Sequence, residues 1–197
     1  MSRGYNFLLT GVGGQGTILA RNVLADVALA MGYDVKKSEV HGMAQRGGSV
    51  NTHVRWHPEK VHSPLIGLGE ADYLIAFEEA EAVRYIGYLR QGGAAIVNEF
   101  RLKPITVTSG GAPYPASEKI ATVFARITER FHQVPGTRIA QELGTIRASN
   151  VVLLGAHSTL LDVPFETWLQ VIGDRVPTRF IGLNHEAFLR GRGVVVA

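Results

Sequence analysis

Cysteine is absent from all 197 residues. Without a thiol the chain supplies no disulfide, no cysteine nucleophile, no thiolate zinc site and no cysteine-held iron–sulfur cluster. Charge is scarce too: Asp, Glu, Lys and Arg make up 19% of the chain, below the usual quarter, which favours some surface buried against a partner. Twenty basic residues against seventeen acidic ones leave a net charge of +3, scattered and too weak a field to call for nucleic acid. No apolar run is long enough for a membrane: the uncharged stretch 4–20 is broken by Asn6, Gln15 and a group of glycines. Only Phe7, Leu8 and Leu9 precede those glycines, too few for a secretory signal, so the cytoplasm is the expected location. No G-x-S-x-G elbow, no HExxH pair and no set of nucleophile, base and oxyanion stabiliser is present. Neither a catalytic residue nor a metal ligand is expected on this chain.

Hydrophobic residues make up 46% of the chain, enough for a substantial core, and the 23 glycines follow no collagen period. Strand-like and helix-like stretches alternate, the pattern of an α/β fold. The expectation is one domain over 1–197: a Rossmann-like, open, mainly parallel sheet with helices on both faces over about 1–109, then a helical C-terminal part over about 115–197. Strands are expected at 5–10, 34–40, 50–56, 71–77, 94–98 and 105–108. Helices are expected at 15–31, 78–90, 117–131, from 139 or 145 to 161, at 165–172, and briefly around 185–189.

The sharpest motif is Gly11-Val12-Gly13-Gly14-Gln15-Gly16-Thr17, a G-x-G-x-x-G that follows a strand and opens a helix. Glycines there allow a tight turn and let a phosphate approach the unpaired N–H groups of a helix start. Close packing of strand on helix explains the same glycines without a ligand. The zone where a nicotinamide enzyme needs a ribose-binding acid reads Lys36-Lys37-Ser38-Glu39, which suits a phosphate-rich ligand such as coenzyme A better than plain NAD. A second motif, from His41 through Gln45 and Arg46 to Gly47 and Gly48, leaves the second strand toward the same crevice and offers a guanidinium fork to phosphate or carboxylate. A glycine turn with a solvated arginine fits that spacing equally well. His53 with Arg55, His57, His62, Glu78, Glu79 and Asn98 are weaker candidates, read as strand-face, surface or helix-start residues.

The segments GVGGQGT at 11–17, HGMAQRGGSV at 41–50, SPLI at 63–66, GEAD at 69–72, Asn98 and NVVLLG at 150–155 occur in this order in one family. The chain resembles the gamma-type domain of the 2-oxoacid:acceptor oxidoreductases, in particular the beta subunits of the indolepyruvate:ferredoxin enzymes. The resemblance implies a subunit of an enzyme that converts aryl pyruvates to aryl-acetyl-CoA. It places thiamine diphosphate and the iron–sulfur clusters on an alpha subunit, with ferredoxin as acceptor. It carries over Gly11, Gly13, Gly14, Gln15, Gly16 and Thr17 as a phosphate-side loop. Glu39, His41, Gln45, Arg46, Gly47 and Gly48 become a crevice loop serving coenzyme A or the alpha-subunit contact. The same resemblance leaves a gamma subunit acting on pyruvate or 2-oxoglutarate as an alternative. A free-standing nicotinamide or flavin enzyme and a pure scaffold remain open from the residues alone.

Overall fold

A computed structural model describes residues 4–41, 48–103, 105–108, 110–111 and 114–196. Its centre is a six-stranded sheet in the order β2-β3-β1-β4-β5-β6, formed by β1 (Tyr5–Val12), β2 (Asp34–His41), β3 (Ser49–His57), β4 (Ala71–Ala76), β5 (Leu89–Asn98) and β6 (Arg130–Val134). The pairs β1–β4, β4–β5 and β5–β6 are parallel, whereas β3 runs antiparallel to both β1 and β2. The sheet is therefore mixed, with β3 alone reversed. That reversal follows from the short β2–β3 connection, which has no room for a helical crossover.

The period of two decides what each face buries. Phe7, Leu9, Val54, Trp56, Tyr73, Ile75 and Ile96 point to one core, completed by α1 (Thr17–Ala30), α5 (Gly136–Glu142), α6 (Ser149–Ser158), α7 (Phe165–Arg175) and α8 (Ile181–Val196). Leu8, Leu74, Ala76, Ala95 and Val97 point to the other, under α2 (Glu79–Tyr85) and α4 (Ser117–Ala125). Both faces are covered, as the alternating pattern predicts. Among the described residues no helix is long and apolar enough to cross a membrane.

Several elements depart from the expectation. The helix expected over 15–31 is α1, Thr17–Ala30, whose buried face is carried by Ala20, Val23, Leu24, Val27 and Ala28. The stretch 78–90 is not one helix: α2 stops at Tyr85, a 3-10 turn covers Ile86–Tyr88, and β5 begins at Leu89. Gly87 is a poor helix former, and Arg90, expected to end a helix, instead extends from β5 to Asp72 at 2.7 Å. The stretch 105–108, rich in β-branched residues, forms the short helix α3 (Ile105–Thr108). The helix expected over 117–131 ends at Ala125, and the sixth strand is β6, which begins at Arg130 inside that stretch and fully buries only Val134. The helix expected up to 161 is broken by Gly144, at φ +94°, into α5, a 3-10 turn and α6. The final helix runs the whole of Ile181–Val196, through three glycines that lower its intrinsic propensity.

Candidate functional site

The helices that follow β1 and β4 pack on opposite faces of the sheet. The carboxyl ends of these two neighbouring parallel strands therefore flank a topological switch point, where α/β sheets bind ligands. The glycine motif forms the turn after β1. Gly14 and Gly16 adopt φ +102° and +82°, a region open to glycine and costly for other residues. Gln15 locks the two strand ends together: its Oε1 accepts from Val12 N at 2.7 Å and its Nε2 donates to Phe77 O at 3.4 Å. A Cβ on Gly11 would stand 2.6 Å from that Oε1 and 2.9 Å from Phe77, so Gly11 makes room for the clasp.

A cleft of about 420 Å³ opens here, lined by Gly14, Gln15 and Gly16 together with Phe77, Asn98 and Asn150 among others. Asn98 is held from both sides, its Nδ2 donating to Phe77 O and Thr137 Oγ1 and its Oδ1 accepting from Thr137 N. Asn150 Nδ2 donates to Gly16 O at 3.2 Å, tying the start of α6 to the glycine turn. Gly16 supplies α1 with no side-chain cap, so this helix start faces the cleft with unpaired N–H groups and partial positive charge. The helix α6 instead continues from a 3-10 turn, with Ser149 N bonded to Ile146 O and Val151 N to Asn150 Oδ1. Arg147, on the cleft wall, is exposed and has no side-chain partner among the described residues. A more open cavity of about 480 Å³ adjoins through Phe100 and contains Glu79, Glu99, Arg101 and Gln133.

The candidates from the sequence distribute unevenly. Gly14, Gln15 and Gly16 line the cleft, Gly11 and Gly13 shape its turn, and Thr17 is buried at the first position of α1. Gly13 N donates to Gly48 O at 3.0 Å, which sets the end of the second motif against the first. His41 closes β2 opposite Val50, while Gln45, Arg46 and Gly47 lie outside the described residues. Glu39 turns away, its carboxylate 2.7 Å from Arg21 on α1. Lys37 donates to Asn22 at 2.8 Å, and burial, with the nearby Arg21, lowers its pKa. Because β3 is inserted between β1 and β2, the strand after α1 is not the neighbour of the glycine turn, and the ribose-acid geometry of a nicotinamide site is absent there.

Glu78 caps α2 by accepting from Glu81 N at 2.9 Å, and it also takes the Leu102 N–H and the Tyr114 hydroxyl; burial and this bond push the phenol pKa up. Glu79 bridges to Arg101 at 2.6 Å. His53 is buried rather than half-exposed, and burial lowers its pKa. The residues not foreseen are Phe77, Phe100, Thr137, Ile146, Arg147, Ser149 and Asn150. Asn150 stood in a recognised segment but no spacing linked it to Gly16, which is 134 positions away.

Residues 6–194 match the family described as pyruvate ferredoxin/flavodoxin oxidoreductase. The chain belongs to this family. It is 40% identical over 190 residues to the indolepyruvate oxidoreductase subunit IorB of Thermococcus kodakarensis, covering 95% of this chain and 94% of that one. It is 38% identical over 187 residues to the IorB of Pyrococcus horikoshii, covering 93% and 92%. The fold matches the gamma subunit of a keto/oxoacid ferredoxin oxidoreductase from Geobacter sulfurreducens PCA, at TM-score 0.72 and 24% identity over 98% of each chain. It also matches a 2-oxoglutarate:ferredoxin oxidoreductase from Magnetococcus marinus, at TM-score 0.77 and 21% identity over all of this chain and 32% of that longer one. That structure contains 2-oxoglutarate, coenzyme A and succinyl-CoA. Within the family the chain is a subunit of a 2-oxoacid:ferredoxin oxidoreductase of the indolepyruvate type.

Proposed function

We propose that this chain works in the cytoplasm with a larger alpha subunit to decarboxylate aryl pyruvates oxidatively, and that its own part is to receive the phosphate-rich end of coenzyme A. In the overall conversion the carboxylate leaves as CO2. The acyl carbon is oxidised as an electron pair passes to ferredoxin, and the coenzyme A sulfur closes the thioester. The observation that supports this assignment is the convergence of the uncapped start of α1 and the free Arg147 guanidinium on one cleft. Bare N–H groups and a cation together suit phosphate oxygens. Coenzyme A in the Magnetococcus relative agrees with that chemistry.

The chain's own residues fit neither thiamine diphosphate nor an iron–sulfur cluster. It has no cysteine. Gly173-Asp174-Arg175, the nearest approach to a diphosphate-and-magnesium signature, lies inside α7, with Arg175 paired to Asp26. Both groups are therefore assigned to the alpha subunit, and the isolated chain should not turn over substrate. The test is ferredoxin reduction with indolepyruvate by each subunit alone and by the mixture. Activity is expected only on mixing, with Arg147→Glu raising the KM for coenzyme A by roughly tenfold through charge reversal at a phosphate contact. Turnover by this chain alone, or an unchanged KM in Arg147→Glu, would overturn the reading.

A further inference from the structure

Beside the glycine turn, under α2, runs a buried chain of hydrogen bonds that the cleft itself does not use. His53 Nδ1 accepts from Ile66 N at 3.1 Å, so the ring proton sits on Nε2, which donates to Asn51 Oδ1 at 3.1 Å. Asn51 Nδ2 donates to the Tyr85 hydroxyl at 2.9 Å. That hydroxyl lies 3.1 Å from Ser49 Oγ, and Ser49 in turn donates to Glu81. Since the serine proton is engaged by the carboxylate, Tyr85 donates to Ser49. Every donor in the chain thus points toward Glu81, which is 5% exposed and whose other oxygen takes Arg84 Nε at 3.0 Å. A buried carboxylate needs such donors, and donors of this kind lose most when their terminal acceptor is removed.

Ser49 is the first residue of β3 and follows Gly48, whose carbonyl accepts from Gly13 N. We propose that Glu81 is a positioning residue: acting through Ser49 it fixes the Gly48 peptide, and through that peptide the second glycine of the anion-binding turn. Its effect on coenzyme A rests on the function proposed above; its effect on the turn does not.

The experiment uses the reconstituted two-subunit enzyme with two readouts, amide hydrogen exchange over residues 11–16 and the KM for coenzyme A set against kcat. In Glu81→Ala the turn should exchange roughly tenfold faster and the KM should rise roughly tenfold, with a smaller change in kcat, as expected when a binding group is misplaced rather than removed. Ser49→Ala should behave alike and serves where Glu81→Ala does not fold. Glu81→Gln keeps an acceptor oxygen and should restore both values to within about threefold. Arg84→Ala, which removes only the exposed partner, should stay within about twofold of the unmodified enzyme. A lowered melting temperature with unchanged exchange and unchanged KM would make Glu81 a stability residue only and overturn the proposal. Faster exchange in Glu81→Ala combined with an unchanged KM in Arg147→Glu would uphold the positioning role and remove the coenzyme A reading instead.

Discussion

The two ends of α6 meet opposite demands. At its start Asn150 reaches across to Gly16 and helps wall a cleft with open backbone donors. Toward its end space vanishes: a Cβ on Gly155 would stand 2.0 Å from Phe188 O, and one on Gly191 of α8 would stand 2.0 Å from Val152 O. Gly14 and Gly16 of the turn serve conformation, with positive φ, and Gly155 and Gly191 of the helix pair let two backbones touch. The difference teaches that a glycine's cost of replacement depends on whether the neighbour is movable side chain or fixed backbone. Gly155→Ala should therefore be the most damaging change, forcing α6 and α8 apart and costing at least about 4 kcal/mol, the tail reserved for core overpacking. Denaturant midpoints check this; a loss below about 1 kcal/mol would show that the helices separate freely and would end the contrast.

At the other end, Gly16→Ala should cost about 2–3 kcal/mol. The residue holds φ +82°, which penalises a side chain by about 1–2 kcal/mol. Its Cβ would stand 2.4 Å from Asn150 Nδ2, so the Asn150 bond to Gly16 O gives way as well. An Asn150→Ala, Gly16→Ala double variant tests the coupling. If the two losses simply add, the clash with Asn150 is not part of the cost.

Much of the amino-terminal half of the fold was legible because β1, β3 and β4 carry alternating or continuous apolar runs, and because the glycine motif marks the passage from strand to helix. What stayed hidden was set by partners distant in the chain. The five residues of β6 bury only Val134 fully, and α8 is disguised by glycines, of which Gly191 shows its purpose only when Val152 of α6 is seen beside it. Arg90 reads as a helix-ending cation until Asp72 is placed across from it. In the site, the turn was readable from local chemistry. Asn150 and Arg147 were not, since α6 is brought to the turn by tertiary packing. Glu39 was misleading for a related reason: its distance from the glycines fits a crevice residue, but the inserted β3 moves its strand to the sheet edge, where Arg21 takes the carboxylate.

The closed end of α6 also buries His157 completely, with the rings of Phe7, Tyr73 and Trp168 around it and neither ring nitrogen hydrogen-bonded. Burial, reinforced by the nearby Arg130 guanidinium, lowers its pKa to about 3. An unfolded histidine titrates near 6.5, so between these values the unfolded chain binds a proton that the native one refuses. Stability from this group is complete above about pH 6.5 and falls as pH drops toward 3. Between pH 7 and pH 5 the loss attributable to His157 should be about 2 kcal/mol. His157→Phe, which keeps an aromatic ring in an apolar site, should lose less stability than the unmodified chain over that range, by urea midpoints measured at both pH values. His53 and His132, also lowered by burial, remain in both proteins and cancel in the difference. Equal pH dependence in the two would mean that water or a local opening reaches His157, and the end of α6 would then be no more closed than its start.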